Sequence, residues 1–413
     1  MSTPTLLDPR RRHLLGALGA GTLAPWATLS LAAAGAAGPN RFVFVILRGG
    51  LDGLSSVPAV GDADFASARG ALAQFASAPL ALDGTFALHP NLAQLHAMYG
   101  RGELAVVHAV GLPYRDRSHF DAQQVLESGG VRPYEIASGW LGRLLGTKDA
   151  RGAKGLALNT AVPLVLRGPG AVDTWAPSAL PDPSAELVAR LERLYANDPA
   201  LATALERAKA LHLDSAMAAE PGNGMSHGMA GNATSPNAGR PGGFVVLAQR
   251  AAEFLAQPDG PQVAVLEVSG WDTHANQANP NGPLANNLRQ LDAGLAALRD
   301  GLSASGTWAR TVVVVATEFG REVAINGTLG TDHGTGGAAF VMGGAVKGGR
   351  VVADWPGLAK KNRYDGRDLR TTTDLRAVLK GVLGEHLKVA ARTLNTEVFP
   401  GSEAAAPLTL LST

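Results

Sequence analysis

Four stretches of the chain are apolar at nearly every position rather than at alternate ones. The first, residues 41–47, reads Arg41-Phe42-Val43-Phe44-Val45-Ile46-Leu47, and residues 104–110, 263–268 and 311–316 share its character. A strand covered on both faces needs no polar alternation, so these runs predict buried parallel strands. Each run stops at a polar loop containing glycine. Between the third and fourth, Leu284, Leu288, Leu291, Leu295, Leu298 and Leu302 recur in steps of four and three, the period of an amphipathic helix. Strand, helix and strand make a βαβ crossover, and the fold class that follows is α/β: a mostly parallel central sheet with helices on both faces. A second helix is predicted over residues 184–213, with Leu187, Leu191 and Leu194 on one side, and another over 373–383. Residues 214–243 carry Gly, Ala, Asn, Pro, Ser and Met without apolar period and are expected to form a mobile surface insertion. Met225, His227 and Met229 in that segment have a spacing that suits copper, but incidental residues of a solvated loop are the better reading.

The first 37 residues read as an address. Arg10-Arg11-Arg12-His13-Leu14-Leu15 precedes an uncharged Ala/Gly/Leu-rich run that ends in small residues near Ala37, the layout of a basic region, an apolar region and a cleavage site. Paired arginines before x-Leu-Leu resemble the bacterial twin-arginine export signal. A Sec signal or an uncleaved anchor is the alternative, because residues 14–31 are nearly long enough to span a bilayer. Residues 38–413 are then expected to form a single domain, periplasmic or secreted. No membrane segment is expected in the mature form, and the twin-arginine translocase is the expected partner during export.

Composition narrows the chemistry. Of 413 residues 46% are hydrophobic and 17% charged, which excludes global disorder. A net charge of +1 carries no nucleic-acid footprint. With no cysteine, the chain has no disulfide framework, thiolate zinc site, iron–sulfur cluster or thiol nucleophile.

Ligands of an open parallel sheet collect at the carboxyl ends of its strands, so the polar residues there are the ones to weigh. After the first run, Arg48-Gly49-Gly50-Leu51-Asp52-Gly53 offers Asp52 as a cation ligand or as an ordinary Asp-Gly turn. After the third, Asp272 and His274 sit two apart and point the same way in extended backbone, which suits one shared ion, a facing pair or a hydrogen-bonded loop, with the position at a strand end favouring a metal. After the fourth, Glu318-Phe319-Gly320-Arg321 suggests Glu318 on a metal and Arg321 on an anionic substrate, or a plain ion pair between them. Asp332-His333 adds another carboxylate–imidazole pair amid glycines. Imidazole and carboxylate without thiolate suit zinc or manganese better than calcium. After the second run, Ser118 is a nucleophile candidate, with Arg115, Arg117 and His119 to bind or protonate the substrate. The same Ser118 also suits a helix N-cap with Asp121 three residues on.

Taken in order, Leu47-Arg48-Gly49-Gly50-Leu51-Asp52-Gly53-Leu54, Arg117-Ser118-His119-Phe120, Gly270-Trp271-Asp272-Thr273-His274, Glu318-Phe319-Gly320-Arg321 and Asp332-His333-Gly334 resemble one bacterial family, domain of unknown function 1501. The resemblance covers roughly residues 41–385. That family is similar to the alkaline phosphatase-like superfamily, whose members bind two metals around a Ser, Thr or formylglycine nucleophile. The resemblance implies an alkaline phosphatase-like fold and an exported hydrolase of phosphate or sulfate esters acting on a small-molecule or glycan ester. It implies one or two divalent ions, zinc or manganese. Ligands would come from Asp52, Asp272, His274, Glu318, Asp332 and His333. Ser118, His119 and Arg321 would act in catalysis, and Arg48 and Arg117 would bind substrate. Two departures stand out: Asp272-x-His274 is shorter than the superfamily's Asp-x-x-x-His, and Phe319 stands where many members have a histidine. No Ser begins a Ser-x-Pro-x-Arg maturation motif, which argues against a formylglycine sulfatase. A non-catalytic metal-binding or envelope assembly protein on the same fold is the alternative.

Overall fold

The computed structural model describes residues 38–177, 183–217 and 243–412. Its strands are β1 (Arg41–Arg48), β2 (Leu80–Ala81), β3 (Ala87–Leu88), β4 (Leu104–Gly111), β5 (Lys154–Ala157), β6 (Ala171–Thr174), β7 (Val263–Ser269), β8 (Thr311–Thr317), β9 (Gly337–Gly343), β10 (Arg350–Val352) and β11 (Thr373–Asp374). Nine of them make one sheet in the order β10-β4-β9-β8-β1-β7-β5-β6, with β11 added beside β4. All neighbours are parallel except β9, which runs antiparallel to both β4 and β8. The four predicted strands are β1, β4, β7 and β8.

β1 shows why its sequence does not alternate. Val43, Val45 and Leu47 enter one apolar core, and Phe42, Phe44 and Ile46 enter another on the opposite face. The helix Pro283–Ala304 joins β7 to β8 and buries all six leucines of its predicted stripe. Its Asp292 is buried with them and accepts the Gln94 and Leu95 amides at 3.0 and 2.9 Å, capping the neighbouring helix Ala93–Gly100.

Three expectations need correction. The predicted helix over 184–213 is two helices, Ala185–Tyr195 and Pro199–Met217, because Pro199 cannot continue a helix and Asp198 caps the next turn through the Ala200 and Leu201 amides. The leucine stripe of the first helix does not face the core, and Leu194 is 72% exposed. The helix over 373–383 is Leu375–His386, entered from β11 with Asp374 as its N-cap. Residues 214–217 of the expected insertion are helical and Gly243 opens the helix Gly243–Ala256. Met225, His227 and Met229 lie outside the described residues, as does the whole export segment. Gly38–Thr413 forms one compact unit, and no helix among the described residues is long and apolar enough to cross a membrane.

One buried titratable group is set by this fold. His108 on β4 is fully buried, accepts the Ala109 amide on Nδ1 at 2.8 Å and donates Nε2–H to the Val57 carbonyl at 3.0 Å. Phe86 stacks on the imidazole and Trp355 meets it edge-on. Burial pushes its pKa down to about 4 from 6.5, so the folded state stays neutral where the unfolded chain takes up a proton. Stability is therefore full above pH 6.5 and falls as the pH drops toward 4, by about 3 kcal/mol from this residue. His108→Gln, which does not titrate, should remove that part of the slope; urea unfolding of both proteins at several pH values measures it.

Candidate metal centre

Strand register brings three loops to one place. Leu47 on β1 lies opposite Val268 on β7 and Thr317 on β8, so the segments that follow emerge side by side. Gly49 threads between them at φ +119°, and a Cβ there would stand 2.6 Å from the Asp272 backbone nitrogen. Only glycine fits such an approach. Its N–H donates to Glu318 Oε1 at 2.8 Å. The fourth contribution comes from the helix His119–Ser128 that follows β4.

The ligand atoms form two triangles on one edge. His333 Nε2 and Asp272 Oδ1 are 3.2 Å apart. His119 Nε2 lies 3.0 Å from the first and 3.4 Å from the second, and His274 Nε2 lies 3.0 Å from each. A tetrahedral ion with bonds of about 2.0–2.1 Å separates its ligand atoms by about 3.3 Å, so either triangle matches one face of such a site. Nitrogen and carboxylate donors without sulfur suit zinc among the common ions. The donor set therefore fits a divalent metal.

Every imidazole is held from behind. His119 Nδ1 meets Glu318 Oε1 at 2.8 Å, His274 Nδ1 meets Asp332 Oδ1 at 3.1 Å, and His333 Nδ1 donates to the Arg117 carbonyl at 2.9 Å. These acceptors place the proton on Nδ1 and leave the Nε2 lone pair for an ion. Phe319 packs against the His119 and His333 rings at centroid distances of 4.6 and 5.0 Å. The phenylalanine thus stacks on the ligand rings, while the helix after β4 supplies a third imidazole through His119.

The charges agree with this arrangement. Burial pushes the Asp272 carboxyl up, but the hydrogen bond and charge of Arg321 outweigh it and hold the pKa at about 2. Burial likewise acts on Glu318, and the His119 ring, Gln123 and backbone amides turn the balance toward the carboxylate. Burial lowers His333, helped by the His119 and Arg321 charges. For His119, burial is outweighed by Glu318 and Asp272, which raise its pKa. Proton and metal then compete for His119 Nε2.

The predicted residues separate into two groups. His119, Asp272, His274 and His333 converge, with Glu318 and Asp332 behind them. Asp52 does not reach the cluster. It caps the short helix Gly53–Ser56 through the Leu54 and Ser55 amides, and its other oxygen takes Arg69, Gln277 and the Ser55 hydroxyl. Arg321 is buried and donates to the carbonyls of Gly49, Gly50, Trp271 and Thr331 as well as to Asp272, so it does not face a substrate. Arg48 is paired with both Glu127 and Glu267, and Arg117 with Asp365 and Asp368. Arg115 donates to the Leu112 and Tyr114 carbonyls. Ser118 is the N-cap of the helix His119–Ser128, its Oγ 3.5 Å from the Asp121 amide. Two supporting residues escaped the sequence reading. Gln123 donates to Glu318 at 3.2 Å, and its position one turn after His119 is a signal that was there to use. Asn326 donates to Asp332 at 3.1 Å from a loop with no pattern to mark it.

An imidazole–carboxylate cluster at the carboxyl ends of a mostly parallel sheet defines the class: an α/β protein with a candidate metal centre. The model of the family described as "Protein of unknown function (DUF1501)" matches residues 39–395, and the chain belongs to that family. No curated protein matches it in sequence. Among solved structures it is similar to the PsFucS1 sulfatase from Pseudoalteromonas sp., at 15% identity over 90% of this chain and 72% of that one, with a TM-score of 0.41. The lipoteichoic acid synthase LtaP from Listeria monocytogenes aligns at 11% identity over 88% and 76%, with a TM-score of 0.40. An alkaline phosphatase superfamily protein from Vibrio parahaemolyticus aligns at 12% over 74% and 60%, with a TM-score of 0.35.

Two carboxylates with different surroundings give opposite expectations. Asp52→Ala leaves the Arg69 guanidinium buried without its counter-charge and should cost about 3–5 kcal/mol in unfolding free energy. Asp272→Ala also leaves a buried guanidinium, Arg321, without its carboxylate, but Asp272 is 46% exposed and Arg321 keeps four carbonyl acceptors, so the cost should be smaller. That substitution should also abolish uptake of an added divalent ion, which Asp52→Ala should leave in place wherever it folds; metal-binding titration and urea unfolding on both variants measure the contrast.

Proposed function

We propose that the chain is an exported, metal-dependent hydrolase of phosphate or sulfate esters, holding one divalent ion, zinc or manganese. His119, Asp272 and His333 would hold it, with His274 beside the cluster. The observation that carries this reading is the convergence of three Nε2 atoms on Asp272 Oδ1 with every Nδ1 already bonded to an acceptor. A single ion is supported over two because the Asp52 and Glu318 carboxylates are taken up by protein donors. When bound, the ion polarises the oxygen of the ester's phosphoryl or sulfuryl group. The anion needs that charge, since Arg48, Arg117 and Arg321 are all tied to carboxylates. With Ser118 engaged as a cap, water is the nucleophile. Export rests on Arg10-Arg11-Arg12-His13-Leu14-Leu15 and the apolar run behind it.

The same tied arginines favour a second reading, a non-catalytic metal-binding protein that works in envelope assembly. Metal analysis of natively exported protein should find about one equivalent of zinc or manganese, lost in an Asp272→Ala/His333→Ala double variant. Glu318→Gln should weaken metal affinity by about 10–100-fold. Absence of metal from the natively exported protein would defeat both readings, and full metal with no turnover on a panel of phosphate and sulfate esters would favour the second. Ser118→Ala should cost about 1 kcal/mol of stability as a lost N-cap and leave ester turnover within tenfold; a loss of several orders of magnitude would return Ser118 to the role of nucleophile.

A further inference from the structure

The loop that carries Asp272 and His274 continues into a second polar feature. Beside it lies a cleft of about 280 Å³ whose lining includes Gln74, Phe75, Ser77, His89, Asn279 and Asn281. Its floor is fixed. Gln277 accepts the Thr273 and Thr331 hydroxyls at 3.0 and 2.7 Å and donates to Asp52 and Ser55, so all its amide hydrogen-bonding capacity is used inside the protein.

The walls are the opposite. His89 accepts the Asn91 amide on Nδ1 at 3.1 Å, which puts its proton on Nε2, and that N–H has no partner among the described residues. Burial keeps the ring neutral, with a pKa of about 4. The side-chain amides of Gln74 and Asn281, the Ser77 hydroxyl and the Asn279 Nδ2 group are likewise without protein partners among the described residues. Phe75 stands edge-on to His89 at 5.6 Å and adds an aromatic wall. The cationic group in the lining, Arg289, donates to Asn286 and to the Pro280 carbonyl.

We infer that this cleft binds one sugar ring. Unpaired donors and acceptors in mixture match hydroxyl groups, which both give and take hydrogen bonds. The aromatic wall suits the apolar C–H face of a pyranose. A cationic ligand would need a carboxylate that the lining lacks, and the guanidinium of Arg289 is engaged by Asn286 and the Pro280 carbonyl. A volume just under the ~300–1,000 Å³ of pockets for drug-sized ligands admits one ring rather than a chain. On the reading proposed above, and resting on it, that ring belongs to the alcohol part of the ester, so the substrate is a glycan ester.

The test is saturation-transfer NMR and calorimetry on the full-length protein. The probes are the methyl glycosides of glucose, galactose, mannose and N-acetylglucosamine and neutral disaccharides built from them. At least one should bind saturably. His89→Phe, which fills the wall without the Nε2–H, and Asn281→Ala, at an exposed position that does not threaten folding, should each weaken it by tenfold or more. Absence of saturable binding by the whole panel, or equal binding in both cleft variants, overturns the inference. Sugar binding through the cleft without ester hydrolysis leaves the cleft assignment standing and defeats the hydrolase reading. Hydrolysis of sugar esters with KM unmoved by Asn281→Ala defeats the cleft instead.

Discussion

The buried guanidinium of Arg321 joins three loops at one point. It donates to Gly49 and Gly50 after β1, to the Trp271 carbonyl and the Asp272 carboxylate after β7, and to Thr331 in the segment before β9, while sitting itself after β8. Loops that must converge from separate strands have no common ladder to hold them. A rigid, always charged fork with several donors can do it, and burial makes each of those bonds costly to break. The position of Asp272 Oδ1, and hence the geometry of the whole cluster, follows from this one side chain. Arg321 is thus a positioning residue, and its charge also keeps Asp272 an anion ready for a cation.

The parts of the fold governed by burial were legible in the sequence, and those governed by partner choice were not. Uninterrupted apolar runs can only be strands covered twice or buried helices, so β1, β4, β7 and β8 were readable from residues alone. β9, as long as β7 and β8, was missed because it follows a glycine-rich loop and its Gly337, Ala338, Ala339 and Gly343 leave few large or β-branched residues to mark an apolar run. The leucines of the helix Ala185–Tyr195 misled for the opposite reason: period shows that a face is apolar and says nothing about what covers it. At the site, the right residue types at strand ends were recognisable, yet their roles were not. Asp52 and Asp272 look alike in sequence, and only their partners, Arg69 for one and a ring of imidazoles for the other, tell a structural cap from a ligand.

The distribution of charge around the centre has a consequence for its chemistry. Arg48 faces Glu127 and Glu267, Arg117 faces Asp365 and Asp368, and Arg321 faces Asp272. Breaking such partly buried pairs to reach a substrate would leave carboxylates unpaired, at a cost of several kcal/mol for the more buried ones. An anionic group arriving at the cluster therefore meets imidazoles and one carboxylate, which repel it or hold it weakly unless a cation sits among them.

The stretch from Asp272 to Asn281 connects the centre to the neighbouring cleft. Its first part hangs from Arg321 and Asp332, and its middle is anchored where Gln277 bridges Thr273, Thr331, Ser55 and Asp52. Asp52 in turn is clamped by Arg69, whose other donors reach the Glu322 and Val323 carbonyls just beyond Arg321. The two buried arginines thus brace the same loops from opposite sides, Arg321 through the cluster and Arg69 through the cleft floor. A displacement of Gln277 cannot leave both Thr273 and Thr331 in place, and those residues flank His274 and Asp332. Rigidity at the cleft floor is therefore part of what holds the imidazole of His274 at ligand distance. Asp52 thus braces the His274 loop from the cleft floor, whereas His119, Asp272 and His333 are held independently of it by Glu318, Arg321 and the Arg117 carbonyl.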